Sequence, residues 1–303
     1  MLPRVIKPML AKLSEPFDSP RFLYEIKWDG TRALFFLEGS ALRIQNRRLR
    51  DITYRYPEFW GLPQLFSRSG LVLDGEIVVL SGGRPSFRLL QEREHVASRV
   101  KIEALSRRLP ATYMVFDLLY LEGRSLMETP LRERRRILRE ILPESPYLVE
   151  SRYVLEKGRA FFEKVVSEGF EGVMAKDLES PYLPGKRVDF WLKFKARGRC
   201  TCLIVGYLLR PDGTLKSLLL AEPTPEGLVY RGRAASGLSL PEADRLLSRL
   251  RALEVPSPPL LRGRRFPQGA RWVSPELSCV VSYQEVTSEG RFRAPVVEKV
   301  EGL

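Results

Sequence analysis

The chain has 303 residues, which is enough for two domains that each bury a core. Its composition is typical of a globular protein, and no apolar run approaches the ~20 residues needed to cross a bilayer. The formal net charge of +13 favours a polyanionic partner such as a nucleic acid, while an unspecialised basic surface is the alternative. We expect a cytoplasmic protein without a membrane partner.

The first two thirds of the chain mix short β-rich runs with helical segments. These runs do not alternate strictly as strand and helix, so they favour an α+β fold over a doubly wound one. Strands are predicted at 22–28, 32–37, 71–80, 111–121, 170–176 and 188–195, and helices at 86–108, 130–142 and 157–168.

After about residue 196 the sequence pattern changes and predicts short strands joined by tight turns. Pro211-Asp212-Gly213 is a strong turn signal. One helix is predicted at 240–252, and two more strands are predicted around Glu289-Gly290. This order is typical of a small antiparallel barrel such as the OB-fold. The predicted domains are therefore 1–196 and 197–303, joined by a linker at about 195–199.

The three cysteines predict no metal site. Cys200 and Cys202 have C-x-C spacing, Cys279 is far away, and the single histidine, His95, is remote. That set is a poor zinc signature. We expect three buried strand cysteines in a reducing compartment.

The stretch "YEIKWDGTRALFF" reads as a strand, a tight turn and a second strand. Alternation along the first strand puts Glu25 and Lys27 on one face, just before the turn at Asp29-Gly30. Arg32 follows directly. The sequence thus fixes a flexible cation beside a carboxylate at the mouth of a hairpin.

A second strand carries paired cations. In "VDFWLKFKARG", alternation places Trp191, Lys193 and Lys195 on one face and apolar residues on the other. This pattern favours an anion clamp, most simply for phosphates. An ordinary solvated strand face is the alternative.

Two further strands pair a glycine with a carboxylate, as Asp74-Gly75-Glu76 and Glu171-Gly172. Carboxylates among apolar residues are costly unless they are paired, hydrogen-bonded or bound to a metal. A divalent cation between Glu76, Glu171 and a triphosphate would satisfy them. Phe116 lies in a nearly apolar strand. Taken alone, each of these residues has an ordinary structural explanation; their combination and order do not.

The ordered set resembles the successive motifs of the covalent nucleotidyltransferases, and most closely those of ATP-dependent DNA ligases of the bacterial end-joining type. That group includes the ligase module of ligase D and its stand-alone relatives. The stretches "KPMLA", "RWVSPEL" and "GRFRAP" also match, so the resemblance runs nearly end to end. The motifs are Lys27-Trp28-Asp29-Gly30-Thr31-Arg32, Asn46-Arg47, Leu73-Asp74-Gly75-Glu76, Val115-Phe116-Asp117, Glu171-Gly172-Val173-Met174 and Trp191-Leu192-Lys193-Phe194-Lys195.

The resemblance implies that Lys27 Nζ attacks the α-phosphorus of ATP, expels pyrophosphate and forms a lysyl-AMP phosphoramidate. The adenylate then passes to the 5′-phosphate at a nick, and the 3′-hydroxyl displaces AMP. An amine suits this chemistry because it is a strong nucleophile whose phosphorus adduct stays labile.

The resemblance also implies roles for further residues. Glu25 and the main chain at Ile26 would bind adenine, and Phe116 would stack on it. Glu76 would hold the ribose or a metal, and Glu171 would bind magnesium or manganese. The remaining residues would contact phosphates, ribose or the DNA 5′-phosphate; they are Arg32, Arg47, Lys193 and Lys195, with Arg291 and Arg293 as candidates for orienting pyrophosphate.

The implied partners are nicked or broken double-stranded DNA and end-joining repair proteins, with the enzyme acting as a monomer at the nucleoid. Because only 26 residues precede Lys27, ATP is the expected nucleotide donor rather than NAD. The chain departs from the family at Ala294, where end-joining ligases usually carry histidine. Three alternatives stay open: an RNA ligase, a capping-type guanylyltransferase and a non-catalytic DNA-end-binding protein.

Overall fold

The computed structural model describes residues 2–236, 238–259, 261–262, 266–287 and 289–302. The chain divides into two units, Met1–Lys195 (unit 1) and Ala196–Leu303 (unit 2). No helix within these described ranges is long and apolar enough to span a bilayer.

Over residues 2–195, unit 1 contains twelve strands, four α-helices and three short 3₁₀ turns. The strands are β1 (Leu10–Leu13), β2 (Ser19–Ile26), β3 (Thr31–Glu38), β4 (Ala41–Asn46), β5 (Leu71–Ser81), β6 (Arg84–Pro85), β7 (Ala111–Leu121), β8 (Arg124–Ser125), β9 (Leu148–Glu150), β10 (Tyr153–Glu156), β11 (Gly172–Asp177) and β12 (Arg187–Lys195). The helices are α1 (Phe87–Glu94), α2 (Arg99–Arg108), α3 (Leu131–Ile141) and α4 (Gly158–Ser167), and the 3₁₀ turns are Thr53–Arg55, Pro57–Phe59 and Leu62–Leu65.

These strands form two sheets. The smaller sheet has the order β1-β12-β11-β2-β10, and the larger has the order β4-β3-β5-β7-β8, with β6 beside β5 and β9 beside β7. Only the β1–β12 and β7–β9 pairs are parallel among the described pairings of unit 1. The predicted α+β class with antiparallel sheets is confirmed.

The two sheets share a hydrophobic core. Phe36 and Phe116 of the larger sheet pack with Val188 and Trp191 of the smaller sheet. The opposite face of the larger sheet has its own core, which includes Phe35 and is covered by α1, α3 and the 3₁₀ turns. Because both faces of β3, β5 and β7 are buried, these strands are nearly continuous apolar runs.

Two sequence predictions in unit 1 need correction. The helix predicted at 86–108 is two helices, because the chain leaves the helical conformation at His95 and restarts after Ser98, a residue type that favours helix N-termini. The strand predicted at 22–28 ends at Ile26. Lys27 therefore lies just beyond the strand, although its backbone N–H still donates to the Gly172 carbonyl at 2.9 Å.

The described residues of unit 2 form ten strands and one helix. They are β13 (Gly198–Leu209), β14 (Leu215–Thr224), β15 (Gly227–Ser236), α5 (Leu240–Ala252), β16 (Glu254–Val255), β17 (Leu261–Arg262), β18 (Arg271–Val273), β19 (Ser278–Tyr283), β20 (Glu285–Val286), β21 (Phe292–Arg293) and β22 (Val296–Val300). Helix α5 matches its predicted bounds and begins with a capping box between Ser239 and Glu242.

Five of these strands form a closed ring of hydrogen-bonded pairs. The order is β13-β14-β15-β22-β19, and β19 pairs again with β13. Helix α5 lies in the chain between the third and fourth ring strands. The sequence missed β22, because "VVEKV" is too short and too charged to stand out.

The cysteines all lie on the paired strands β13 and β19, where Cys202 is directly opposite Cys279. These two residues are buried, whereas Cys200 is partly exposed. The prediction of three buried cysteines is therefore wrong for Cys200, which is two residues nearer the start of β13. Burial raises the pKa of the Cys202 thiol well above its usual range and that of Cys279 to about 12.

Candidate active site

A cavity of about 280 Å³ lies between the two sheets of unit 1. Strands of the smaller sheet supply one wall, and β3, β5 and β7 of the larger sheet supply the other. The cavity brings together nine residues predicted from the sequence: Glu25, Ile26, Lys27, Arg32, Arg47, Glu76, Phe116, Lys193 and Lys195.

The Lys27 ammonium group contacts the carboxylate of Glu171. The other oxygen of this carboxylate lies 2.9 Å from the Nζ atom of Lys195. Burial alone would raise the pKa of the Glu171 carboxyl, but the two ammonium groups outweigh burial and lower it below the usual range. The predicted cation, carboxylate and phosphate-clamp lysine therefore form one cluster at the end of β2.

The turn after Lys27 depends on a glycine. A Cβ atom at Gly30 would lie 2.2 Å from the carbonyl oxygen of Ile77 on β5, which is far inside van der Waals contact. The hairpin can therefore approach β5 only if residue 30 lacks a side chain. This approach fixes the direction in which Lys27 leaves the sheet.

Glu25 is buried between two cations. One of its carboxylate oxygens is paired with the Lys176 ammonium group, and the other accepts a hydrogen bond from Arg135 Nη1 at 2.9 Å. Burial lowers the pKa of Lys176 to about 8, and Glu25 offsets only part of that effect. The cavity floor is thus a compact cluster of opposite charges.

Two aromatic rings, those of Phe116 and Trp191, lie edge-to-face beside this cluster, with 77° between their planes. The Phe116 and Trp191 ring centroids are 6.3 Å apart, and Lys176 Nζ lies 3.9 Å and 4.1 Å from them. The guanidinium carbon of Arg32 lies 4.6 Å from the Phe116 centroid. Within the described residues, the indole N–H of Trp191 is buried and has no hydrogen-bond partner.

Arg32 is held by a buried carboxylate. Its Nε and Nη2 atoms donate to the two oxygens of Asp74, each at 2.6 Å, and the Tyr182 hydroxyl donates to the same carboxylate at 2.7 Å. Asp74 raises the pKa of Arg32 far above its usual range, against the opposing effect of burial. The cation is therefore permanently charged and fixed in direction.

Glu76 lies on β5 beside this pair. Burial raises the pKa of its carboxyl to about 8, and the nearby charges of Arg32 and Lys27 lower it only in part. A bound cation would therefore stabilise the ionised form of the Glu76 carboxyl. No cluster of three or more histidine, cysteine or acidic residues with metal-binding geometry occurs in the described parts of the chain.

Three predicted residues are not among those that line the cavity. Glu171 reaches the site through its contacts with Lys27 and Lys195. Arg291 and Arg293 lie in unit 2, where the Arg291 guanidinium carbon is 4.1 Å from the centroid of Tyr230 and Arg293 lies on β21.

Arg135 and Lys176 were not predicted from the sequence, and Asp74 was predicted without a role. A signal for Arg135 exists in α3. Leu131 and Leu138 mark the buried face of this helix, and positions 134 and 135 fall on the same face at helical spacing. Arginines at buried positions indicate buried carboxylate partners, and Arg134 does donate to both oxygens of Asp117, at 2.7 Å and 2.9 Å.

Two family models match the chain. The model described as the ATP dependent DNA ligase domain matches residues 1–195, and the model described as the ATP dependent DNA ligase C terminal region matches residues 211–301. The chain belongs to the ATP-dependent DNA ligase family.

Individual relatives agree with this assignment. The chain is 33% identical to the multifunctional non-homologous end joining protein LigD of Mycolicibacterium smegmatis, over 97% of this chain but only 38% of that protein. It is 32% identical to DNA ligase C1 of the same organism, over 94% of this chain and 86% of that protein. The crystal structure of the ligase domain from M. tuberculosis LigD covers 98% of this chain and matches over 95% of its own length, with 31% identity and a TM-score of 0.60.

Proposed function

We propose that the chain seals nicks in double-stranded DNA, joining a 5′-phosphate to a 3′-hydroxyl through a covalent lysyl-AMP intermediate. The observation that carries the proposal is the position of Lys27. Within a DNA ligase family fold, its amine stands at the mouth of a cavity that combines two aromatic rings with several cations. A nucleoside triphosphate needs both features.

The resting pair between Lys27 and Glu171 suggests how the nucleophile is released. An ammonium group cannot attack phosphorus, so Lys27 must lose a proton and leave Glu171. Incoming phosphates would compete for Lys195, and Lys193 on the same face of β12 would share their charge.

We also propose roles in nucleotide binding for the other residues that line the cavity. The base would lie against Phe116, with Glu25 and the main chain at Ile26 at its edge. Arg32 and Arg47 would contact the ribose or the DNA 5′-phosphate.

Magnesium or manganese would bind between Glu76 and Glu171. Two carboxylates suit such an ion, because magnesium keeps several waters and takes its remaining ligands from substrate phosphates. When bound, the ion would offset charge that develops on the phosphates during in-line transfer. The raised pKa of Glu76 is consistent with a carboxyl that gains a cation on loading.

For the remaining organisation, we propose a nucleotidyltransferase domain over 1–196 and an OB-fold domain over 197–303. The five-stranded ring of unit 2, with a helix between its third and fourth strands, supports the OB-fold assignment. Arg291 or Arg293 would orient the leaving pyrophosphate.

We further propose that the enzyme acts as a monomer on nicked or broken DNA at the nucleoid, in the cytoplasm. The similarity to LigD, a non-homologous end joining protein, supports end-joining repair proteins as partners.

Mass spectrometry of the protein after incubation with ATP and magnesium tests the proposal. We expect one added AMP in the unaltered protein and none in Lys27→Ala. Lys12→Ala is the matched control, because Lys12 lies on β1 in an exposed ion pair with Asp189. An adduct that persists in Lys27→Ala would refute the assignment. A GTP adduct would indicate a capping-type enzyme, and preferential sealing of nicked RNA would indicate an RNA ligase.

A further inference from the structure

One side chain of α3 reaches the cavity walls from behind. Arg135 is completely buried, and its two terminal nitrogens donate to four acceptors. Nη1 donates to Glu25 Oε2 at 2.9 Å and to the carbonyl of Phe116 at 2.8 Å. Nη2 donates to Glu150 at 3.1 Å and to the carbonyl of Ser151.

Two of these acceptors belong to residues that line the cavity, whereas Arg135 itself does not line it. Glu25 supplies a carboxylate on β2, and Phe116 supplies a ring on β7. Arg135 therefore connects the two sheets at the level of the proposed base subsite. Loss of this connection would free both the carboxylate and the strand that carries the ring.

The charges explain why the connection matters. Lys176 neutralises one oxygen of Glu25, and Arg135 holds the other. An ionised carboxylate has about four lone-pair sites, so Glu25 can still accept one more hydrogen bond from a ligand in the cavity. Without Arg135, the carboxylate is free to turn onto Lys176 alone and away from that ligand.

We propose that Arg135 is a positioning residue for base selection: it holds Glu25 so that the carboxylate accepts a hydrogen bond from the exocyclic amino group of an adenine nucleotide. This inference rests on the proposed function, in which ATP occupies the cavity. The proposed ligand class is a purine nucleoside triphosphate with an amino group on the edge that faces Glu25.

The test compares ATP with purine riboside triphosphate, which lacks the 6-amino group, as substrates for formation of the covalent adduct. A hydrogen bond to a charged group is worth enough to change binding about 10-fold or more. We expect the unaltered protein to prefer ATP by at least about 10-fold in KM. In Arg135→Met the preference should fall below about 3-fold, mainly through a higher KM for ATP.

Arg139→Met is the matched control. Arg139 also donates to Glu150 and lies over Tyr153, but it has no contact with Glu25. This variant should keep the full preference for ATP. Arg135→Lys keeps the charge but cannot donate to all four acceptors, so we expect an intermediate preference for ATP over purine riboside triphosphate. If Arg135→Met fails to fold, Arg135→Lys provides the test.

The possible outcomes separate the inference from the proposed function. If the Arg135 variants use both nucleotides less well but keep the same preference, the residue is only structural and the inference is wrong. Equal use of both nucleotides by the unaltered protein would also overturn it, while lysyl adduct formation would still stand. Failure to form an adduct with either nucleotide would refute the proposed function and the inference together.

Discussion

Replacement of Asp74 by asparagine should destabilise unit 1 strongly. The carboxylate is completely buried. It accepts two hydrogen bonds from Arg32, each at 2.6 Å, and one from Tyr182 at 2.7 Å. Asparagine keeps the shape but turns one acceptor into a donor that faces the guanidinium group. It also leaves a cation without its counter-charge.

The magnitude follows from the burial of the pair. Removal of one partner from a buried ion pair costs about 3–5 kcal/mol. The Arg32 side chain is 17% exposed toward the cavity and stays near the Phe116 ring, so part of its charge remains solvated or paired. We therefore expect a loss of about 3 kcal/mol in the free energy of unfolding.

Urea unfolding followed by tryptophan fluorescence would measure this loss. Three of the four tryptophans, Trp28, Trp60 and Trp191, lie in unit 1, so the signal reports mainly on that unit. For slopes of ~2–3 kcal/mol per molar urea, the midpoint should fall by about 1 M.

The control is Asp189→Asn, which breaks an exposed ion pair with Lys12 at 3.6 Å. It should cost less than about 0.5 kcal/mol, because exposed pairs contribute little. A loss of less than about 1 kcal/mol in Asp74→Asn would show that the buried pair with Arg32 contributes little to the stability of unit 1.

Three other outcomes can be tested. Gly30→Ala should impair adduct formation and lower the melting temperature, because its Cβ atom would meet the Ile77 carbonyl. Gly61→Ala is the control and should do neither, because its Cβ atom would meet open space. Equal effects of the two substitutions would contradict the packing argument. Glu76→Gln should become more stabilising between pH 6 and pH 9 in thermal melts. The folded-state pKa of Glu76 is raised to about 8, so its carboxyl stabilises the fold only when protonated, and this contribution is lost as the pH rises through 8. At ~1.4 kcal/mol per pKa unit, and with part of the side chain facing cavity water, Glu76→Gln should gain about 2 kcal/mol in the free energy of unfolding over this pH range. The exposed substitution Glu38→Gln is the control for the loss of a negative charge. Finally, DNA affinity should fall steeply between low and moderate salt because phosphate contacts release counterions, and a flat salt dependence in a filter-binding assay would argue against a basic DNA-binding surface.

Much of the candidate site could be predicted from strand periodicity. Alternation along β12 put Trp191, Lys193 and Lys195 on one face, and all three line the cavity. This succeeded because the side-chain period of a strand is fixed by backbone geometry. The path of Lys27 was less predictable, since the end of β2 depends on the close approach of Gly30 to β5.

The buried charged residues that hold Glu25 could not be predicted from strand periodicity. Arg135 and Lys176 are charged residues, and composition places such residues at the surface. Their burial is favourable because carboxylates meet them across elements that are distant in sequence: Glu25 pairs with both, and Glu150 also pairs with Arg135. Local pattern does not contain that information; the helical position of Arg135 on the buried face of α3 gives a hint but not its partner.

The paired thiols of β13 and β19 also make the molecule easier to study. Burial and a raised pKa leave Cys202 and Cys279 almost wholly as thiols, and alkylating reagents react with the thiolate. Their labelling should therefore be slow until unit 2 opens. Since most of the tryptophans lie in unit 1, fluorescence would report mainly on unit 1, while the labelling of Cys202 and Cys279 would report on unit 2 in the same sample.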